Sequence, residues 1–318
     1  MIIADHRRRA PQIQGTKKRR QNMVTSPALE QILTAKRADP YSDEKTIEEL
    51  RANHKAGGAA IPLPDGTTFE TVDAGGVPSE WIQVPGVDTD RVFLFIHGGG
   101  YYRGSAAATR SAASGISKAS GMRCLSIDYR LAPEDPFPAA IDDTYAAYKW
   151  LLDQGIAASN IVVGGISAGG GLTCALLLKL KDQGDPLPAG AVPMSAWTDL
   201  TQSGDTMQTN AESDPVICKA YLDRMAGLYL NGADSKTPLA SPLYGDFKGL
   251  PPMLVQVGTT ESMYDDSRRY AEAAQAAGVD ATFEPWDDMF HGWHSSAHVL
   301  DEAQQAIDSI GRFCRKLF

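Results

Sequence analysis

The segment Gly165-Ile166-Ser167-Ala168-Gly169 places a serine between two glycines. It follows the apolar run Asn160-Ile-Val-Val-Gly-Gly165 and opens the helical pattern Leu-Thr-Cys-Ala-Leu-Leu-Leu-Lys. That is the strand–turn–helix setting of a nucleophile elbow. The turn is sharp, and a Cβ at 165 or 169 would meet neighbouring backbone. The helix N-terminus behind Ser167 favours developing negative charge. Seventy residues earlier, His97-Gly98-Gly99-Gly100 follows the apolar run Arg91–Ile96. Glycines there free backbone N–H groups to converge on one point. Gly98, Gly99 and Ala168 would form a three-donor oxyanion hole, each donor worth roughly 2.7–4 kcal/mol in a transition state. A phosphate loop would need Gly-Lys-Ser/Thr, which is absent. His97 precedes the donors and reads as a brace for the loop.

A serine nucleophile needs a base, and a base needs an acid that holds its tautomer. Of six histidines, His291 lies in Trp286-Asp-Asp-Met-Phe-His291-Gly-Trp, after a strand pattern and before the last helix. A loop at a strand's C-terminal end is where this architecture gathers reactive groups. His294 and His298 read as exposed or helix-capping. The chain order Ser…acid…His points to the stretch after Met253–Gly258, with Glu261, Asp265 and Asp266 as candidates. Asp265 and Asp266 suit the opening turn of a helix. Glu261 sits in the loop itself and is the expected acid, with Asp265 in reserve.

The elements that would carry these groups are legible. Runs at 91–96, 123–128, 160–165, 191–196 and 253–258 are continuously apolar, as in strands buried on both faces. Stretches 68–75 and 79–85 alternate like half-buried strands. Helical patterns fall at about 107–120, 138–153, 169–182 and 265–277, and over the last twenty residues. This alternation predicts an α/β fold with a mostly parallel sheet covered on both faces. Residues 24–56 read as two polar-amphipathic helices, the second capped by Ser42 or Asp43. Residues 199–248 carry no convincing sheet strand. Within them Lys219–Leu230 reads as a helix begun by Ser213-Asp214-Pro215. An insertion of that length suits a lid or binding segment. Tyr101 and Tyr102 beside the glycine loop, and Met225 and Tyr229 in the insertion, are the candidate walls of a substrate pocket.

The 318 residues are 43% hydrophobic and 22% charged, which excludes a disordered chain, a collagen-like fibre or a coiled-coil rod. No apolar run approaches the ~18 residues of a membrane span. Four scattered cysteines form neither a disulfide framework nor a zinc site, and read as buried thiols of a cytoplasmic protein. The net charge of −9 argues against a nucleic-acid surface. Residues 1–22 hold seven basic residues against one acid, a local +6, and read as a disordered extension, with Met23 an alternative start.

These motifs jointly resemble the hormone-sensitive-lipase-like family (bacterial family IV) of α/β-hydrolase esterases. The likeness rests on His97-Gly-Gly-Gly-Tyr101, Asp128-Tyr-Arg-Leu-Ala-Pro-Glu134, Phe137-Pro-Ala-Ala140, Gly165-Ile-Ser-Ala-Gly-Gly170, Ser195-Ala-Trp-Thr-Asp199 and Met289-Phe-His291. It implies an α/β-hydrolase catalytic domain over 61–198 and 236–318, with cap helices in 23–60 and a cap insertion at 199–235. It also implies a cofactor-free, metal-free hydrolase of short-chain esters, with Ser167, His291 and an acid as its triad. A homodimer through the last strand and helix fits the same pattern. Two features depart from the family. Ile166 stands where an aspartate often precedes the nucleophile, and the acid position holds Glu261 rather than aspartate. Lactone opening by the same triad, or a hydrolase-fold receptor that has lost catalysis, are the alternative readings.

Overall fold

The computed structural model describes residues 26–38 and 45–318. The basic segment 1–22 and the candidate caps Ser42 and Asp43 lie outside them. Two helices open the described chain, α1 (Pro27–Ala38) and α2 (Ile47–Ala59). α2 is capped by Thr46, whose hydroxyl accepts the Glu49 N–H while the Glu49 carboxylate accepts the Thr46 N–H. This reciprocal capping box satisfies two otherwise free N–H groups, and it replaces the expected caps at 42 and 43.

The strands are β1 (Thr68–Asp73), β2 (Pro78–Gln83), β3 (Asp88–Ile96), β4 (Met122–Ile127), β5 (Ile161–Ile166), β6 (Gly190–Met194), β7 (Met253–Gly258) and β8 (Ala281–Trp286). They form one sheet in the order β1-β2-β4-β3-β5-β6-β7-β8. Only β2 runs against the others. The helices α3 (Arg110–Ser120), α4 (Ala139–Asp153), α5 (Ala168–Gln183), α8 (Tyr264–Ala276) and α9 (Asp301–Lys316) cover it, with the short α6 (Thr206–Thr209) and α7 (Lys219–Leu230) between β6 and β7.

The apolar runs explain the layering. On β3, Val92, Leu94 and Ile96 pack with α4 and α5, while Phe93 and Phe95 pack with α3 and α9. All five side chains are fully buried. Each contributes roughly 1.5–3 kcal/mol of apolar burial. Stretch 107–120 divides into a 3₁₀ turn at Ala107–Thr109 and α3. α7 starts after Cys218, not at Asp214. The Asp214 carboxylate instead accepts the N–H groups of Val216 and Ile217 in a turn, and that of Ser262 across the chain. Three cysteines are buried as expected, whereas Cys218 is exposed at the end of that turn. Among the described residues no helix is long and apolar enough to cross a membrane.

Candidate active site

The ends of β3, β5, β6, β7 and β8 meet at one edge of the sheet. Ser167 leaves β5 with φ 61° and ψ −120°, a left-handed backbone that only a firmly held turn sustains. The turn is held from three sides. The Ser167 N–H donates to Met194 O at 2.9 Å, and Ser167 O accepts Gly171 N–H at 3.0 Å and Trp197 N–H at 3.1 Å. A Cβ on Gly165 would lie 2.6 Å from Ile96 O, and one on Gly169 would meet Ile96 O and His97 O. The two glycines are therefore steric requirements of the elbow.

The glycine loop lies directly against this serine. A Cβ on Gly98 would stand 2.7 Å from Ile166 O and 3.2 Å from Ser167 Cβ. Gly99 has φ 119°, and a Cβ there would run into the Arg103 carbonyl. His97 is buried, stacked on Tyr129 at 4.2 Å, with Nδ1 2.8 Å from Gly98 O. That contact assigns the proton to Nδ1, donated to Gly98 O. Burial lowers the His97 pKa to about 4, so the ring braces the loop as a neutral group.

His291 follows β8. Its Nδ1 lies 2.8 Å from Glu261 Oε2. Glu261 has no solvent exposure, and its other oxygen accepts Ser195 Oγ–H at 2.8 Å and Gly258 N–H at 2.6 Å. Ser195 Oγ also accepts the Gly292 N–H at 3.3 Å. The loops after β7 and β8 are laced together. Thr260 Oγ1 donates to Met289 O at 2.7 Å, and Thr259 N–H to Trp286 O at 2.9 Å. From the insertion, Asn210 Nδ2 donates to Glu261 O at 2.8 Å. A Cβ on Gly292 would touch Ile166 Cγ2 at 3.5 Å, which sets the His291 loop beside the elbow. Ile166 thus makes an apolar contact at the position where the family often carries an aspartate.

The competing acids are occupied. Asp265 accepts Thr206 N–H and Arg268 Nε–H. Asp266 accepts the N–H groups of Thr198 and Asp199, both at 2.9 Å. Burial, and then Asp199, raise its pKa well above the usual carboxylate range.

One expectation needs correction. His294 is neither exposed nor a cap: it is fully buried, with Nε2 2.9 Å from Gln256 Oε1. Burial takes its pKa down to about 3. Tyr101, Tyr102, Met225 and Tyr229, the expected pocket walls, are at most 1% exposed. The cause is aromatic packing: the rings of Tyr101 and Tyr229 stack at 3.8 Å, and Tyr101 also meets Trp197 at 5.7 Å. These residues back the glycine loop from behind, with Met225 Cγ 3.3 Å from a Cβ placed on Gly100. The role of Ser195 does not follow from its motif alone. The signal was a small hydroxyl residue immediately after a buried strand, beside the loops that hold the acid and base.

The chain is similar to known proteins over most of its length. Residues 93–295 match the family described as having the alpha/beta hydrolase fold. An acetyl-hydrolase of Streptomyces hygroscopicus is 42% identical over 86% of this chain and 89% of its own. An esterase of Acinetobacter venetianus is 35% identical over 76% and 80%. A solved structure of an esterase from the bacterial hormone-sensitive lipase family superposes with a TM-score of 0.90 at 47% identity, covering 93% of this chain and 99% of that one. An eight-stranded, mostly parallel sheet carrying a serine elbow beside a His–Glu pair, together with these relatives, makes the chain a carboxylesterase of the hormone-sensitive-lipase-like family within the α/β-hydrolase superfamily.

Proposed function

We propose that the chain hydrolyses short-chain acyl esters through a Ser167–His291–Glu261 triad and an acyl-enzyme intermediate. The observation that carries this reading is the His291–Glu261 contact at 2.8 Å beside the strained Ser167 elbow. The Nδ1 proton of His291 is donated to Glu261 Oε2, which leaves Nε2 as the base. Nε2 takes the Ser167 proton as Oγ attacks the ester carbonyl. Backbone N–H groups of Gly98, Gly99 and Ala168 receive the oxyanion. His291 then protonates the departing alcohol, and water repeats the sequence on the acyl-serine.

Short acyl chains are favoured because the space behind Gly100 is filled. A Cβ there would already lie 3.0 Å from Tyr221 Oη and 3.3 Å from Tyr102. The cap comprises α1, α2 and the insertion 199–235. α1 packs Leu29 onto Met289 and Phe290, next to His291. α2 is anchored by Arg51, which donates to Tyr102 O at 2.7 Å and to Ala132 O at 3.0 Å. At the free sheet edge, β8 with α9 offers a surface for a homodimer.

The test is a series of p-nitrophenyl esters from acetate to palmitate, with Ser167→Ala beside the wild type. The reading requires rates that peak at short chains and vanish in the variant. Rates rising towards palmitate would overturn the pocket size, and activity surviving in Ser167→Ala would overturn the nucleophile.

A further inference from the structure

Among the described residues, two cations stand at the cap side of the site without carboxylate partners, in a chain whose net charge is −9. Arg103 follows the glycine loop, and its N–H donates to Gly99 O at 3.2 Å. Its Cγ lies 3.0 Å from where a Gly99 Cβ would be. Its guanidinium sits over the rings of Tyr102 and Tyr221, at 5.4 and 5.9 Å. Its Nε is buried with no hydrogen-bond partner among the described residues. Lys36 comes from α1 and stands 4.9 Å over the ring of Phe290, the residue before His291. Burial lowers the Lys36 pKa, and the Arg103 charge adds to the effect. The acid that acts on Lys36 is Asp214, whose carboxylate already accepts three backbone N–H groups and forms no ion pair with it. On α2, His54 Nδ1 is buried and unpartnered, and the Arg103 charge acts on that ring too. One polar group from each cap helix and one from the glycine loop thus face the same region, all lacking an acceptor among the described residues.

Burying cations costs free energy unless an anion accompanies them. We propose that Arg103 and Lys36 recognise a carboxylate on the substrate, so that the preferred ester is one carrying an acidic group, with His54 as a neutral donor to the same carboxylate. This rests on Ser167 being the nucleophile of the site. Arg103 presents the planar fork suited to a carboxylate, and Lys36 a point charge across from it. Both act on the substrate and take no part in the proton transfers of the triad.

The experiment compares matched esters that differ in one charge. Monomethyl glutarate is set against methyl valerate for an acid on the acyl side. 4-(Butyryloxy)benzoate is set against 4-methylphenyl butyrate for an acid on the alcohol side. The readout is the ratio of kcat/KM, anionic over neutral, in wild type, Arg103→Met, Lys36→Met, Arg103→Lys and Lys316→Gln. Lys316 lies beside Leu317, which packs at Gly190 where β6 begins, at the opposite edge of the sheet. The ratio should fall at least tenfold in Arg103→Met in one of the two pairs, and several-fold in Lys36→Met. It should recover partly in Arg103→Lys and hold in Lys316→Gln. It should also fall as salt is raised, because screening weakens the attraction. Ratios unmoved by Arg103→Met in both pairs, with the neutral esters still cleaved, would overturn the carboxylate site alone. Loss of turnover on every ester in wild type would instead overturn the reading of Ser167.

Discussion

Ser195 Oγ lies 2.8 Å from Glu261 Oε1, and the same hydroxyl accepts the Gly292 N–H next to His291. One small side chain after β6 therefore ties the acid's loop to the base's loop. Glu261 uses its two oxygens differently: Oε1 is fixed by Ser195 and Gly258, which leaves Oε2 aimed at His291. Ser195→Ala should lower kcat by roughly 5–30-fold, the equivalent of about 1–2 kcal/mol for a lost buried hydrogen bond, with little change in KM. Steady-state kinetics on p-nitrophenyl butyrate checks this. A variant with wild-type kcat would show that the acid needs no such tether.

Glu261→Gln should be far more damaging. The amide has the same shape but does not stabilise an imidazolium, and it admits the wrong tautomer of His291. A loss of roughly 10³–10⁴ in kcat is expected. Asp265→Asn is the paired measurement, because Asp265 is bonded to Thr206 and Arg268. It should cost stability through the loosened start of α8 and leave kcat within a few-fold. Equal losses in the two variants would reverse the assignment of the acid.

Gly98→Ala should disable the loop by crowding. The added methyl meets Ile166 O at 2.7 Å and Ser167 Cβ at 3.2 Å. To relieve that contact the loop must retreat from Ser167, and its N–H groups retreat with it. Losing the reach of one donor predicts a drop of about 10²–10³ in kcat. KM should change less than kcat, since an oxyanion donor acts mainly in the transition state. A drop in KM-controlled binding alone would mean that the loop binds substrate without stabilising charge.

His97 and His294 make the fold sensitive to acid. Their pKa values stand at about 4 and about 3 in the folded chain because burial disfavours the charged ring. An unfolded imidazole titrates near 6.5, so below that pH the unfolded chain binds more protons and the fold loses stability. Each ring contributes a slope approaching about 1.4 kcal/mol per pH unit between about 6.5 and its folded value. Asp266, with a raised pKa, pulls the other way over part of that range. The comparison with His294→Gln isolates one ring, since glutamine retains a donor for Gln256. Urea unfolding between pH 4.5 and 7 should show the variant's slope reduced by one proton. Identical slopes would mean that His294 is already protonable in the folded chain.

The proposed triad of Ser167, Glu261 and His291 is legible in the chain because each lies at a strand end; apolar runs mark those of Ser167 and Glu261 plainly, while β8 before His291 is only partly buried. β3, β5 and β7 are buried along their whole inner length, and that burial leaves the loop after each one unambiguous. Side-chain partners across the chain were less legible. Ser195 and Glu261 are 66 residues apart, and no local pattern announces a hydrogen bond of that span. His294 read as a surface group because it lies near a polar helix. The short turn Trp293–Ser296 instead rotates it inward onto Gln256. Tyr101, Tyr102 and Tyr229 carry a related ambiguity. Large rings beside a loop suit a pocket wall or a core equally well, and the left-handed backbone at Tyr101, φ 64°, is what turns its ring into the core.

The nucleophilic serine is the centre of the mechanism, and a titration with a serine-directed fluorophosphonate tests it most directly. Intact-protein and peptide mass spectrometry should find one adduct per chain, on Ser167. Hydrolysis of p-nitrophenyl acetate should fall in proportion to the fraction labelled. Ser167→Ala should take no label under the same conditions. Stoichiometric labelling of another residue, or full activity in chains labelled at Ser167, would contradict the proposed mechanism.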